Sequence, residues 1–273
     1  MSLKRQTDPV LSDRENQQKY VDISQESGLG SSSGNISYSQ TEPEVPGPHL
    51  RPLYFEVPGT GGREVVGRGW VWQEILTSDR HILIEGAPGT GKTAIVLALV
   101  QSSCFGAVRG VFEEGEGVRE VGERVVGYHF CQADNSPTCR PSSLVHSLAA
   151  QLCQAPQLES YQHFLHSHPD TLLLLSQHNC AARPEVALLQ GILEPLAQLD
   201  PPGQCLVLVD GLCEAEQHRP DYGETVARFL LSHTHSFPPW LRLVFTARTN
   251  TIPGLRSTKI KCLRCEKVFI SIL

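Results

Sequence analysis

The stretch "IEGAPGTGKTA", from Ile84 to Ala94, constrains this chain more than any other. Gly86-Ala87-Pro88-Gly89-Thr90-Gly91-Lys92-Thr93 fits G-x-x-x-x-G-K-[ST] at every fixed position. Such a loop needs glycines so that successive backbone N–H groups can curl round an anion. It needs a lysine to face the outer phosphates, and a Ser or Thr hydroxyl to ligate Mg²⁺. It works only between a buried strand and a helix N-terminus, whose dipole adds to the positive field. Both flanks have that character: "HILIEG" is a short apolar run ending in Gly, and "KTAIVLALVQSSC" has no internal breaker. Gly86, Gly89, Thr90, Gly91, Lys92 and Thr93 are therefore candidate phosphate contacts, with Thr93 also a candidate Mg²⁺ ligand.

The remaining chain alternates in the same way. Strand character recurs in "VVGYHFC", "CLVLVDGL" and "LRLVFTART", and "EKVFISIL" is a possible last strand. Helical periodicity appears in "VWQEIL", with Val71, Ile75 and Leu76 inward. It appears again in "PSSLVHSLAAQLC", with a Ser cap and Leu144, Val145, Leu148, Ala149 and Leu152 on one face. The middle of the chain reads as helices separated by turns, with an apolar stripe at Leu188, Leu189, Ile192, Leu193 and Leu196 interrupted at Pro195. "GETVARFLLSHT" reads as one more helix, and "GVFEEGEGVREVGER" as an exposed excursion. Strands alternating with helices predict an α/β fold, a doubly wound, mainly parallel sheet over residues 51–273. Residues 1–46 are rich in Ser and Gly with few large hydrophobes, and are expected to form a disordered tail.

Composition excludes several classes. The net charge is -6 with pI ≈ 6.0 and no dense basic stripe, which argues against nucleic acid. No segment approaches a membrane span or a signal-peptide core, so a cytoplasmic protein without a membrane span is expected. Nine cysteines scattered through apolar segments suit reduced thiols. His163, His166 and His168 lack a metal-ligand pattern and read as surface residues. Cys262 and Cys265 form a lone C-x-x-C, with no second pair or following helix pattern to complete a zinc or redox site, so neither function is expected of them.

Three further elements join the loop. Asp210 ends the apolar run "LVLVD", the place for a carboxylate that holds Mg²⁺ through its water shell. Glu214, four residues on, is either a base for an attacking water or a solvated loop acid. Arg248 ends a strand expected next to the loop strand, either sensing a terminal phosphate or capping a strand end. Upstream, "VVGRGWVWQEI" supplies a Gly-Arg turn in which Val66 packs on an adenine and Arg68 anchors the turn. Trp70 and Trp72, two apart, do not share one helix face; core packing is expected for both, with one of them left for a neighbouring domain as the alternative.

In that order, "VVGRGWVWQEI", "GAPGTGKTA", "LVLVDGL" and "LVFTAR" resemble the STAND class of P-loop ATPases, which includes NACHT and NB-ARC modules. Within the class, "RPLYFEVPG", "YHFCQADNSPTC" and "DGLCEAE" resemble the TANC scaffold proteins. The resemblance implies an ATP- or ADP-binding switch with Mg²⁺ in a cytoplasmic, postsynaptic scaffold, with scaffold or synaptic proteins as partners. It carries over Lys92 and Thr93 as phosphate and Mg²⁺ contacts, Asp210 as the Walker B acid, Arg248 as sensor and Arg68 as part of the adenine turn. It also implies a helical lid, winged-helix segment, ankyrin and tetratricopeptide repeats, which this sequence lacks, so a truncated product or isoform is expected. Class members often place a second acid directly after "DGL", where this chain has Cys213. Weak or no hydrolysis follows. A slow Mg²⁺-dependent NTPase using Glu214, and a degenerate module that binds only proteins, stay open as alternatives.

Overall fold

The computed structural model describes residues 49–55, 69–106, 116–218, 223–252 and 259–266. Five strands, β1 (His81–Glu85), β2 (Val125–Phe130), β3 (Cys205–Asp210), β4 (Leu241–Ala247) and β5 (Ile260–Arg264), form one all-parallel sheet in the order β2-β3-β4-β1-β5. Every residue of β1, β3 and β4 is buried. Strands covered on both faces lose the apolar–polar alternation of a half-exposed strand, which is why they read as unbroken apolar runs.

The helices are α1 (Gly69–Thr77), α2 (Lys92–Gln101), α3 (Glu116–Gly122), α4 (Pro141–Gln154), α5 (Glu159–Ser167), α6 (Pro169–Leu174), α7 (Gln177–Ala182), α8 (Pro184–Leu188), α9 (Glu194–Gln198), α10 (Leu212–Ala215) and α11 (Val226–His233). They divide into two layers. Ile82, Ile84, Leu206, Leu208 and Val244 face Ile75 of α1 and Ile95 and Leu99 of α2. Leu83, Val207, Val209, Leu243 and Phe245 face Leu144, Leu148 and Leu152 of α4 together with the middle helices. Alternate residues of one strand thus serve separate cores, the doubly wound α/β arrangement. Among the described residues no helix is long and apolar enough to cross a membrane.

Several local expectations change. α4 begins with Pro141 at its first turn behind Arg140, with no side-chain cap; proline's fixed φ replaces the expected serine cap. Part of the expected excursion is α3, whose Val121 is fully buried. Gly122 lets it approach α2, since a Cβ there would lie 2.5 Å from that of Ser102. Trp72 is buried, but Trp70 is 40% exposed, because neighbours two apart on a helix cannot share a face. Leu76 is only half-buried.

Pro195 does not interrupt the apolar stripe. Leu189–Leu193 widens into a π turn between α8 and α9. The Gly191 carbonyl, which in a regular helix would take the N–H that proline lacks, instead accepts a 2.7 Å bond from the buried Tyr161 hydroxyl. The last described strand is β5, earlier than "EKVFISIL", of which residues 267–273 lie outside the described residues. The expected disordered tail, residues 1–46, also lies outside them.

Candidate functional site

All five strands are parallel, so their C-terminal ends share one edge, where loops from β1, β3 and β4 converge. The Gly86–Thr93 loop leaves β1 there. Gly89 and Gly91 adopt φ of 75° and 82°, a left-handed conformation costly for any residue with a Cβ. Gly86 is required for a different reason: a Cβ on it would sit 2.4 Å from the backbone oxygen of Cys265 and 2.7 Å from Thr90 Oγ1. The turn is fastened by Thr90 Oγ1 donating to the Ala87 carbonyl at 2.9 Å. α2 then starts at Lys92 with Gly91 as its cap.

Lys92 Nζ donates to the carbonyls of Gly86 and Ala87, both at 2.9 Å, and to Thr90 Oγ1 at 3.3 Å. Burial lowers its pKa, Cys213, Asp210 and Cys265 work against that, and Arg248 adds to it.

Asp210 is 5% exposed at the end of β3. Its Oδ2 accepts the Thr93 hydroxyl at 2.9 Å, directly joining the loop to this strand. Its Oδ1 accepts the Thr246 hydroxyl at 2.5 Å. Burial raises the carboxyl's pKa; the bonds from Thr246 and Thr93 oppose the rise, Glu214 adds to it and Lys92 opposes it. Two hydroxyl donors, one to each oxygen, suit the ionised form. Thr246 Oγ1 also accepts the Gly211 N–H at 2.9 Å. Gly211 turns the chain away from β3 at φ 72°, where a Cβ would lie 2.7 Å from the Cys131 carbonyl.

Sequence reasoning missed Thr246, although a hydroxyl in the next-to-last place of the otherwise apolar run "LVFTA" was a signal for it. It also missed Glu85, 3% exposed at the end of β1.

Glu214 lies on α10 beyond Asp210, and its Oε2 accepts the backbone N–H of Ala133 at 3.1 Å. It is tied to the loop after β2. Arg248 follows β4, which pairs with β1 as expected, and its side chain is exposed. Val66 and Arg68 lie outside the described residues.

The C-x-x-C pair does not converge. Cys262 sits within β5 and Cys265 just beyond it, three residues along extended chain. One packs against the core of the α4 face and the other belongs to the core of the α2 face. All nine cysteines are free thiols. Among the described residues no group of three or more His, Cys, Asp or Glu is arranged to hold a metal. His163, His166 and His168 are exposed, as expected.

The arrangement has the parts an anion and a hard cation require. Backbone N–H groups at a helix start and an ammonium suit phosphate oxygens. A hydroxyl hydrogen-bonded to a carboxylate offers the oxygen donors that Mg²⁺ takes. The family model described as "Nephrocystin 3, N-terminal" matches residues 68–248, a span from the start of α1 to Arg248 that contains the whole cluster.

Proposed function

The chain belongs to the nephrocystin 3 N-terminal family, and from that premise we propose that it is a nucleotide-binding module that takes ATP or ADP with Mg²⁺. One observation carries this reading: the Thr93–Asp210 hydrogen bond, which brings the loop after β1 and the carboxylate after β3 to a single point. Two segments 117 residues apart meet there with the residue types that a Mg²⁺–phosphate complex uses.

In this reading the N–H groups of the loop and of the first turn of α2 hold the phosphates. The Lys92 ammonium, now on the Gly86 and Ala87 carbonyls, supplies charge to the outer ones. Thr93 gives its hydroxyl oxygen to Mg²⁺, and Asp210 accepts from the ion's water shell. Bound Mg²⁺ supplies neutralisation of phosphate charge. Arg248, at the neighbouring strand end, distinguishes triphosphate from diphosphate. The sequence pattern assigns Val66 and Arg68 to the adenine.

The finer form of the proposal is a STAND-class switch in a TANC-type scaffold, located in the cytoplasm at the postsynaptic density, with other scaffold proteins as partners. The order of the four motifs supports the STAND class, and the resemblance of "RPLYFEVPG", "YHFCQADNSPTC" and "DGLCEAE" supports the TANC-type scaffold. Hydrolysis is weak or nil: Cys213 stands where an acid is common, and the Glu214 carboxylate is engaged by Ala133.

The test is titration calorimetry with ATP and ADP, with and without Mg²⁺, on the chain and on Lys92→Ala. Binding that strengthens with Mg²⁺ and weakens at least tenfold in the variant is expected. Equal affinity in both proteins, or no binding, defeats the reading.

A further inference from the structure

Glu85 is the last residue of β1 and directly precedes the Gly86–Thr93 loop, yet its side chain is directed to the chain that follows β4. A carboxylate only 3% exposed needs partners to offset lost hydration. Its Oε1 accepts the backbone N–H of Asn250 at 2.9 Å, and its Oε2 accepts the Cys262 thiol at 3.5 Å. Asn250 has φ 58°, and among the described residues it alone of the non-glycines has a positive φ. It belongs to a tight turn in which both the N–H and the hydroxyl of Thr251 donate to the Arg248 carbonyl, at 3.3 and 2.7 Å. Arg248 and Asn250 are thus two corners of one turn, and the Glu85 carboxylate grips it from below.

The backbone repeats the link. Gly86 N–H donates to the Ala247 carbonyl at 3.3 Å, and Cys265 N–H donates to the Glu85 carbonyl at 2.7 Å. The start of the loop is therefore clamped between the ends of β4 and β5.

We propose that Glu85 is a positioning residue for Arg248: it fixes the Arg248–Thr251 turn to the strand that carries the phosphate loop, so that the guanidinium and the loop face a nucleotide in one fixed relation. This rests on the reading of the loop and Arg248 as a nucleotide site. The Arg248 side chain is long and exposed, and its reach is defined only as well as its backbone. Asn250, two positions on, adopts a left-handed φ that asparagine tolerates, and its N–H is held by the Glu85 carboxylate. Without the carboxylate the turn relaxes, the guanidinium spreads over more positions, and the preference for triphosphate falls. Affinity that depends on the loop alone is retained. Glu85 touches no phosphate in this scheme; its effect passes through Arg248.

The experiment measures the ratio of ATP to ADP affinity by calorimetry with Mg²⁺ for the full chain and for Glu85→Ala, Arg248→Ala, the double variant and Glu85→Gln. Arg248→Ala is expected to lower the ratio several-fold, and Glu85→Ala to lower it to within about twofold of that value. The double variant should add nothing, because residues acting in one linkage are not additive. ADP affinity should change less than about threefold throughout. Glu85→Gln should largely keep the wild-type ratio, since its amide oxygen still accepts the Asn250 N–H; a merely structural role of the charge would not be rescued in this readout.

A ratio unmoved by Glu85→Ala, strictly additive effects, or an Arg248→Ala variant with a wild-type ratio would each overturn the inference. If Glu85→Ala does not fold, Asn250→Ala loosens the same turn at the surface. The backbone N–H to Glu85 is kept there, so a lowered ratio supports the turn's hold on Arg248, and an unchanged one refutes the inference. Failure of the wild-type chain to bind either nucleotide would instead sink the nucleotide reading itself, and the inference with it.

Discussion

Thr246→Val isolates the hydroxyl that braces Asp210. Thr246 is 1% exposed, and valine has nearly its shape, so packing is preserved and the loss is confined to two hydrogen bonds. The 2.5 Å donation to the Asp210 carboxylate is charge-assisted and worth about 1.5–3 kcal/mol. The Gly211 N–H, which donates to Thr246 at 2.9 Å, is left without that acceptor, at about 1–3 kcal/mol. The new methyl returns roughly 0.8 kcal/mol. The net destabilisation expected is about 2–5 kcal/mol. With a urea dependence of about 2 kcal/mol/M, the unfolding midpoint should fall by roughly 1–2.5 M.

The loss must also depend on pH. Burial raises the Asp210 pKa in the folded chain, and a carboxyl raised above its unfolded value favours folding in acid and loses that contribution as pH rises through the folded pKa. Removing a donor to the ionised form raises that pKa further. The penalty of Thr246→Val should therefore be larger at neutral pH than below the Asp210 transition. The assay is urea unfolding of wild type and variant, followed by far-UV circular dichroism, at neutral pH and near pH 4. Other groups that titrate over this range are common to both proteins and cancel in the difference. A neutral-pH midpoint within about 0.2 M of wild type would refute the bracing role.

Three other outcomes are expected. Gly91→Ala meets open space but must hold φ 82°, so it should cost about 1–2 kcal/mol in denaturant melts; Gly86→Ala drives a Cβ to 2.4 Å from a backbone oxygen and should cost more, and the reverse order would contradict the loop geometry. His129 is buried, with Nε2 on the Thr138 carbonyl at 2.6 Å and Nδ1 without a hydrogen-bond partner, and burial lowers its pKa to about 4. A depressed histidine favours folding above its unfolded pKa and loses this as pH falls, so between about pH 6.5 and 4 the chain should lose about 3 kcal/mol that His129→Phe does not, as read from the slope of stability against pH. Phosphate release at saturating MgATP, with Lys92→Ala as background, should stay well below about 1 per second; turnover at or above that level would favour an enzyme in which Glu214 activates water.

The local sequence was sufficient for everything that depends on spacing or on uninterrupted burial. In "GAPGTGKT" Gly89 and Gly91 answer a local need for a left-handed φ, while Gly86 is required mainly by the approach of the Cys265 backbone after β5. "HILIE", "CLVLVD" and "LRLVFTA" are short apolar runs that read as strands covered on both faces, so the α/β class followed from them, while the expected place of Arg248 beside the loop strand came from the order of the motifs. Asp210 was legible for the same reason, as a charge that ends an apolar run.

Contacts across the sheet were not legible in this way. Thr246 matters because parallel pairing sets β4 against β3, at a register that puts its hydroxyl on Asp210 and Gly211 at once. Glu85 looked like the end of a strand until the turn after β4 folded over it. Trp70 and Trp72 have the same composition and opposite fates, because helix phase against the sheet decided which one was buried. Pro195 stayed within its helix because Tyr161, thirty-four residues earlier, supplies the hydrogen bond that proline cannot. Short-range rules speak for a residue's backbone and its own burial. Partners for a buried polar group come from whichever elements the chain topology brings alongside, and hydrogen bonding is strong and directional enough that those partners then determine its role.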